Sequence, residues 1–528
     1  MSVQDPRRER LLSWLLLLFF WGLLLALAAT RPLAVPDEGR YGDIGRWMLQ
    51  SGDWLAPRLD GMPFFQKPPL LHWLQATSMA VFGVHAWSAR LVPAVHAGLM
   101  MLMLYMIARR NRGEEQARNI VVILGSSLGF LIGGQYVNHD MLVASWIGIA
   151  ILCFAEALIG DQRPDVRWSL GGFAACALGL LSKGLIGFVL PGAVIFVWLL
   201  WTRRLSRLWQ LPWLRGIAVF AVIGLPWFVV AQRQYPGLFD YLIIGQHFRR
   251  YTGEHYNNQW GAWFYPAVIT LMLFPWSLLL WWRALHIRNL VASWRAQGTT
   301  ADTRWTSLMW IWLLVILVFF SLPKSKLVGY IFPVLPAVTA IVALHFPSWP
   351  QLTKQRRARF AGLYGGMMAV SLVLALGLDR AAIPETLKHS SQDVAEFLGC
   401  ALQPGERVYA REDYPYDLPF VARLQQPLIV VADWPAARKN DADNWKRELY
   451  EAADFDPVAA TNLQSPAALE HPADGSWLAL PAQEASPQLP PGWNPVLKGK
   501  AWQLLRFRTA VAEGPPAAQD ESLHRCQQ

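Results

Sequence analysis

The sequence predicts a polytopic α-helical membrane protein with interfacial helices in its outer loops and a soluble α/β domain at its C-terminus. Three observations predict it. Hydrophobic residues fill 54% of the 528 positions and charged residues only 16%, against about 25% charged in soluble domains. Apolar runs of membrane-crossing length recur through the first 378 residues. Basic residues gather between alternate runs instead of spreading evenly. The 28 tryptophans and a mean hydropathy of +0.25 fit aromatic-rich membrane interfaces. The net charge of +10 is accounted for by basic loops on one membrane face and calls for no nucleic-acid partner.

The first run, 11–30, is uncharged and follows Arg7, Arg8 and Arg10. Its length, with no small-residue cleavage site before Pro36, predicts an uncleaved anchor. Further runs lie near 90–108, 119–136, 141–159, 169–182, 185–202, 214–231, 261–282, 306–322, 327–346 and 361–378. Segment 70–83 is short, holds His72 and Gln75 and follows Pro68-Pro69, so it predicts an interfacial helix. The result is about eleven spans, or thirteen counting short and irregular helices. Clusters such as Arg109/Arg110/Arg112/Arg118, Arg203/Arg204/Arg207 and Lys354/Arg356/Arg357/Arg359 then face the cytoplasm. Loop 31–89, the Asn138-His139-Asp140 turn, Lys183, loop 232–260, Lys324-Ser325-Lys326 and everything after about residue 379 face outward. The expected division is a transmembrane domain over 1–378, with its outer loop at 31–89, and an exported domain over 379–528.

The tail gains Pro, Asp, Glu and Gln. Strand-like runs at 407–410, 428–432, 477–480 and 503–507 alternate with helical stretches at 391–402 and 443–453, as in a small α/β domain. It carries no metal, nucleophile or phosphate-loop motif and reads as a cap or acceptor-docking module. Cys153 and Cys176 lie in apolar runs as packing residues; Cys400 and Cys526 can pair if the tail is exported.

Chemistry-bearing residues collect on the outward side. Pro36-Asp37-Glu38-Gly39-Arg40-Tyr41 places two carboxylates and an arginine just after the first span, where charge is costly without a purpose. Lys67 is presented from a stiff loop ahead of Pro68-Pro69. Asp140 ends an apolar span in Asn138-His139-Asp140, His247 and Arg250 occupy the long outer loop, and Lys324 and Lys326 precede Tyr330. Blander roles stand beside these: a helix-start pair for Asp37 and Arg40, lipid snorkelling for Lys67, turn solvation for Lys324 and Lys326. Carboxylates among cations at a membrane surface suit a sugar carried on a lipid phosphate. The cations stabilise the departing phosphate, while a carboxylate supports the anomeric carbon or takes a proton.

These segments resemble the polyprenyl-phosphate-sugar-dependent membrane glycosyltransferases of the GT-C fold, in the branch of the lipid A aminoarabinose (4-amino-4-deoxy-L-arabinose) transferases. The resemblance rests on Pro36 to Tyr41, Lys67-Pro68-Pro69-Leu70 with Trp73, Trp87-Ser88-Ala89-Arg90, Leu181-Ser182-Lys183-Gly184, Phe274-Pro275-Trp276 and Ser321 through Lys326 to Tyr330. It implies an inverting transfer from undecaprenyl phosphate to lipid A or a related glycolipid, among membrane lipids, at the periplasmic face of a bacterial inner membrane. It implies Asp37 and Asp140 as the catalytic acids, with Arg40, Lys67 and Arg250 holding the donor phosphate. Glu38, Tyr41, Lys183, His247, Lys324, Lys326 and Tyr330 would line the site. It also implies a carboxylate before Lys67 that joins His247 on a divalent metal; Gln66 stands there instead, a poorer ligand. Transfer of another sugar, such as glucosamine or mannose, to a lipid, glycan or protein hydroxyl stays open, as does a sugar or lipid transporter.

Overall fold

The computed structural model describes residues 5–249, 258–284, 300–344, 346, 353–440, 442–483, 489–509 and 526. The chain divides into two compact units. One comprises Met1–Thr30, Gln66–Leu71 and Arg90–Asp379; the other comprises Arg31–Phe65, His72–Ala89 and Arg380–Gln528.

The first unit is helical. Among the described residues, Pro6–Leu27, Ala86–Arg112, His139–Leu158, Ala301–Ser321 and Ala358–Leu387 are long and apolar enough to cross a membrane. Two bent pairs, Glu114–Ser126 with Leu128–Gln135 (61°) and Trp213–Gly224 with Pro226–Gln234 (41°), raise the number from five to seven. Ile186–Trp201, Phe264–Leu273 and Val328–Ala343 are shorter apolar helices. The runs at 119–136 and 214–231 are therefore broken rather than straight. Ser127 caps a new turn by accepting from Phe130 N, and Pro226 has no N–H with which to continue the preceding ladder. On the first helix Leu11, Leu15, Leu18 and Phe19 stay exposed, an apolar face suited to lipid. The chain is a multi-pass helical membrane protein.

Large aromatics fill the interior of this unit. Trp198, Trp276 and Trp312 are fully buried, and each indole N–H has a partner: Arg304 O at 3.0 Å, Ser126 Oγ at 3.0 Å and Pro333 O at 2.8 Å. A buried indole without such an acceptor would lose the hydrogen bond it makes to water.

The second unit carries the α/β domain. A two-residue hairpin, β1 (Arg58–Leu59) and β2 (Met62–Pro63), turns through Asp60-Gly61. The main sheet comprises β3 (Val408–Arg411), β4 (Ile429–Val431), β5 (Leu463–Gln464), β6 (Trp477–Pro481), β7 (Trp493–Lys498) and β8 (Trp502–Phe507), in the order β5-β4-β3-β6-β8-β7. The first four in that order are parallel, and β8 and β7 close the edge antiparallel. Tyr409, Val431, Leu478, Leu480, Trp493 and Leu505 form the core beneath it. Cys400 and Cys526 are disulfide-bonded, with Cα atoms 5.8 Å apart.

Segments 31–65 and 72–89 join the C-terminal segment in this unit, whereas the sequence division places them with the membrane domain. Long-range polar contacts account for the grouping. Arg46 Nη1 donates to Leu424 O at 2.7 Å, Arg58 Nη1 to Asp456 Oδ2 at 2.9 Å, and Leu428 N to Asp60 Oδ1 at 2.8 Å.

Candidate active site

Among the described residues, each unit holds a charged cluster built on residues that the sequence singles out. In the second unit, helix Asp37–Ser51 starts at the carboxylate singled out in the sequence, which places two acids in its first turn, where the helix dipole favours negative charge. Arg40 pairs through Nη2 with Asp37 Oδ1 and through Nη1 with Glu448 Oε1. Its guanidinium lies 4.9 Å from the Tyr41 ring centroid and 5.5 Å from that of Tyr416. Tyr416 OH donates to Glu448 Oε2 at 2.8 Å. Burial disfavours the guanidinium charge, but Glu448, Tyr41 and Asp37 outweigh it and hold Arg40 well above its ordinary pKa. Burial, reinforced by the Glu448 charge, pushes the Tyr416 phenol well up as well.

The approach of the two segments depends on Gly39. A Cβ there would sit 2.9 Å from Asp417 N and from the Tyr416 carbonyl carbon, too close to backbone that has no room to give. Asp417 is itself fixed, accepting from Ser391 Oγ at 2.6 Å. Glu38 takes a different role from the lining one expected of it. It is fully buried, pairs with Arg31, and accepts from Ala34 N at 2.8 Å, which closes the turn before the helix. Tyr41 packs edge-on against Phe64 at 6.5 Å and near His72 at 6.1 Å. Burial pushes the His72 imidazole down to about 3, so this neighbour is neutral.

In the first unit, Asp140 lies in the first turn of His139–Leu158. Asn138 caps that helix, accepting from Asp140 N at 2.9 Å and donating to Asp140 Oδ2 at 3.0 Å. Lys183, the last residue of Val166–Lys183, pairs with Asp140 Oδ1, and its ammonium stands 4.2 Å from the Tyr330 ring centroid. Gly329 lies so close to the Asp140 carboxylate that a Cβ there would collide with it. An acid and a base 43 residues apart thus neutralise each other where an isolated charge would be expensive.

Lys326 and Lys324 belong to a short ladder. Trp260 N donates to Lys324 O at 3.1 Å, and Lys326 N donates to Asn258 O at 3.0 Å. Lys326 Nζ is buried and donates to Trp260 O at 2.8 Å and to Pro323 O. The Lys67 ammonium donates to Gln66 O at 2.9 Å. His247 falls in the π-helix Asp240–Arg249, but its side chain, like the whole of Arg250, lies outside the described residues. Among the described residues, no group of three His, Cys, Asp or Glu could hold a metal ion. With the neutral amide of Gln66 where a carboxylate was implied, the described donor set does not fit a divalent ion.

The structure therefore brings Asp37, Arg40 and Tyr41 together within the second unit, and Asp140, Lys183 and Tyr330 together within the first. Sequence reasoning missed Glu448 and Tyr416. Glu448 sits in an ordinary amphipathic helix, Trp445–Ala453, whose pattern carries no trace of its long-range partner.

Comparison with known proteins bears on these clusters. The family of dolichyl-phosphate-mannose-protein mannosyltransferases matches residues 66–229. An undecaprenyl phosphate-alpha-4-amino-4-deoxy-L-arabinose arabinosyl transferase of Pseudomonas fluorescens is 30% identical over 369 residues, 69% of this chain and 62% of its own. A namesake from Pseudomonas savastanoi is 30% identical over 368 residues, 69% of this chain and 65% of its own. The chain thus spans less than two thirds of the length of these curated relatives. In fold it is similar to ArnT from Cupriavidus metallidurans bound to undecaprenyl phosphate, with a TM-score of 0.77, 23% identity, and 95% and 99% of the two chains covered. The Archaeoglobus fulgidus oligosaccharyltransferase gives a TM-score of 0.54 at 12% identity, over 89% and 69%. The fold is GT-C, and the chain resembles the aminoarabinose transferases in both sequence and architecture.

Proposed function

We propose that this chain is an inverting glycosyltransferase that moves an amino sugar, aminoarabinose, from undecaprenyl phosphate to a phosphate of lipid A at the periplasmic side of the bacterial inner membrane. The observation that carries the proposal is the Asp37–Arg40 pair at the start of a helix just after the first membrane span, in a chain similar to transferases named for that donor. As the bond from sugar to phosphate breaks, negative charge grows on the departing phosphate. Arg40, Lys67 and Arg250 are the cations proposed to hold it, Arg by forked donors and Lys as a point charge. Asp37 faces the sugar, with Asp140 as the second acid. Tyr41, Tyr330, Lys183, His247, Lys324 and Lys326 are the proposed lining.

A lipid A phosphate, with a second pKa near 6, is mostly a dianion at neutral pH and attacks the anomeric carbon without a general base. Asp37 then orients the sugar or holds its amino group. The Cys400–Cys526 disulfide supports an oxidising compartment for the second unit, as the periplasm is.

The mannosyltransferase family match over 66–229 favours one second reading, a hydroxyl acceptor, for which Asp37 acts as base. Mass spectrometry of lipid A from cells with and without the gene tests the first reading. A sugar mass on lipid A that vanishes on deletion is expected. An unchanged lipid A profile, with loss of sugar from a protein or glycan, would move the assignment to the second.

A further inference from the structure

The surroundings of Arg40 hold more negative charge than it can balance. Two carboxylates, Asp37 and Glu448, take one Nη atom each, and the rings of Tyr41 and Tyr416 lie within 4.9 and 5.5 Å of the guanidinium. A further donor, Nε, is buried with no hydrogen-bond partner. Both Nη atoms of this arginine therefore already carry a carboxylate. An arriving phosphate would meet a group of net charge −1, which attracts it only once a carboxylate withdraws.

The two carboxylates are not equivalent. Asp37 sits three residues from Arg40 on the same helix and remains beside it whatever the rest of the chain does. Glu448 comes from 408 residues away, on helix Trp445–Ala453. Its second oxygen already accepts from Tyr416 OH at 2.8 Å, so it keeps a buried partner after leaving Arg40. A carboxylate that can let go without being orphaned is suited to let go.

We propose that Glu448, held by Tyr416, is a positioning latch on Arg40: it occupies the place a donor phosphate oxygen needs and yields it when the phosphate binds. This rests on the donor reading of Arg40 given above. The latch keeps the buried guanidinium paired and correctly oriented in the empty enzyme, and it lowers apparent donor affinity by the fraction of time it is closed. It also gives the C-terminal segment a direct part in donor binding, beyond that of a cap.

The test uses the full-length protein in lipid nanodiscs, with undecaprenyl phosphate as the probe and neutral undecaprenol as the control. Glu448→Gln preserves the size of the side chain and its acceptor for Tyr416 while removing the charge. It is expected to bind undecaprenyl phosphate about fivefold to tenfold more tightly than the parent, as when a latch closed about nine-tenths of the time is removed. Tyr416→Phe, which loosens the rest position, shifts affinity about twofold in the opposite direction. In a transfer assay, Glu448→Gln lowers donor KM and leaves kcat within about twofold, a split that a merely structural defect would not give. Arg40→Gln abolishes the preference for phosphate over undecaprenol. If Glu448→Gln binds as the parent does, or more weakly, while the parent prefers the phosphate, the latch is overturned and the donor reading survives. If neither protein prefers the phosphate to undecaprenol, the donor reading itself falls.

Discussion

The two charged clusters solve the same problem in opposite ways. In the membrane unit, one acid meets one base: Asp140 is capped by Asn138, pressed by Gly329 and matched by Lys183 over Tyr330. In the other unit, one base is shared by two acids, Asp37 and Glu448, and a third, Glu38, is drawn off by Arg31. A group set among membrane helices must be neutral as a whole, because neither water nor ions can make up a deficit. A cluster outside the spans tolerates an imbalance, and an imbalance is what an incoming ligand can act upon. The membrane pair is built to stay, and the Arg40 group to exchange.

The largest effect that would break this comparison is expected at Asp37. Asp37→Asn should lower transfer by about 10²- to 10⁴-fold with the chain still folded, measured as product per enzyme in proteoliposomes. A fully active Asp37→Asn would remove the exchanging cluster from the chemistry. Next is Lys183→Ala, which strands Asp140. Loss of one partner from a buried pair costs about 3–5 kcal/mol, read as a lower unfolding midpoint. Asp140→Asn combined with Lys183→Met should recover much of that stability but not the activity. Recovery of both would make the pair a packing feature only.

Reduction of Cys400–Cys526 comes third. Opening a link across 126 residues should cost the second unit about 2–5 kcal/mol, seen as a drop in its melting temperature that the membrane unit does not share.

A pH-dependent effect concerns Asp60, which is buried and accepts from Leu428 N. Burial raises its carboxyl from 3.8 to about 8. The native state then binds more protons than the unfolded chain between those values, so stability should fall as pH rises from about 4 to about 8 and level off above. Asp60→Asn should flatten that slope in thermal melts followed by tryptophan fluorescence. An unchanged slope would place the titrating group elsewhere.

Much of this is legible in the sequence. Charge after an apolar run marked Asp37 and Arg40, and the price of an acid at a span end marked Asp140 as needing a partner. Lys183 was among the expected site residues, but its pairing with Asp140 depends on two helices packing side by side, which no local pattern encodes. The tail strands at 408–411, 429–431, 477–481 and 502–507 were readable from β-branched and aromatic runs, whereas β7 was not, because Asn494 and Pro495 break its pattern. Bent helices escaped the reading because hydropathy averages across the break at Ser127. Glu448 was invisible for a different reason. Its neighbours make an ordinary amphipathic helix, and its significance lies entirely in a contact 408 residues distant.

The central claim is transfer of a sugar from a lipid phosphate to a lipid phosphate. The most direct measurement incubates the purified chain with undecaprenyl-phosphate-linked aminoarabinose and lipid A in proteoliposomes and weighs both lipids by mass spectrometry. The account predicts one undecaprenyl phosphate released for each aminoarabinose gained by lipid A, with no requirement for a nucleotide sugar. Lipid A left unchanged while the donor stays intact would contradict it.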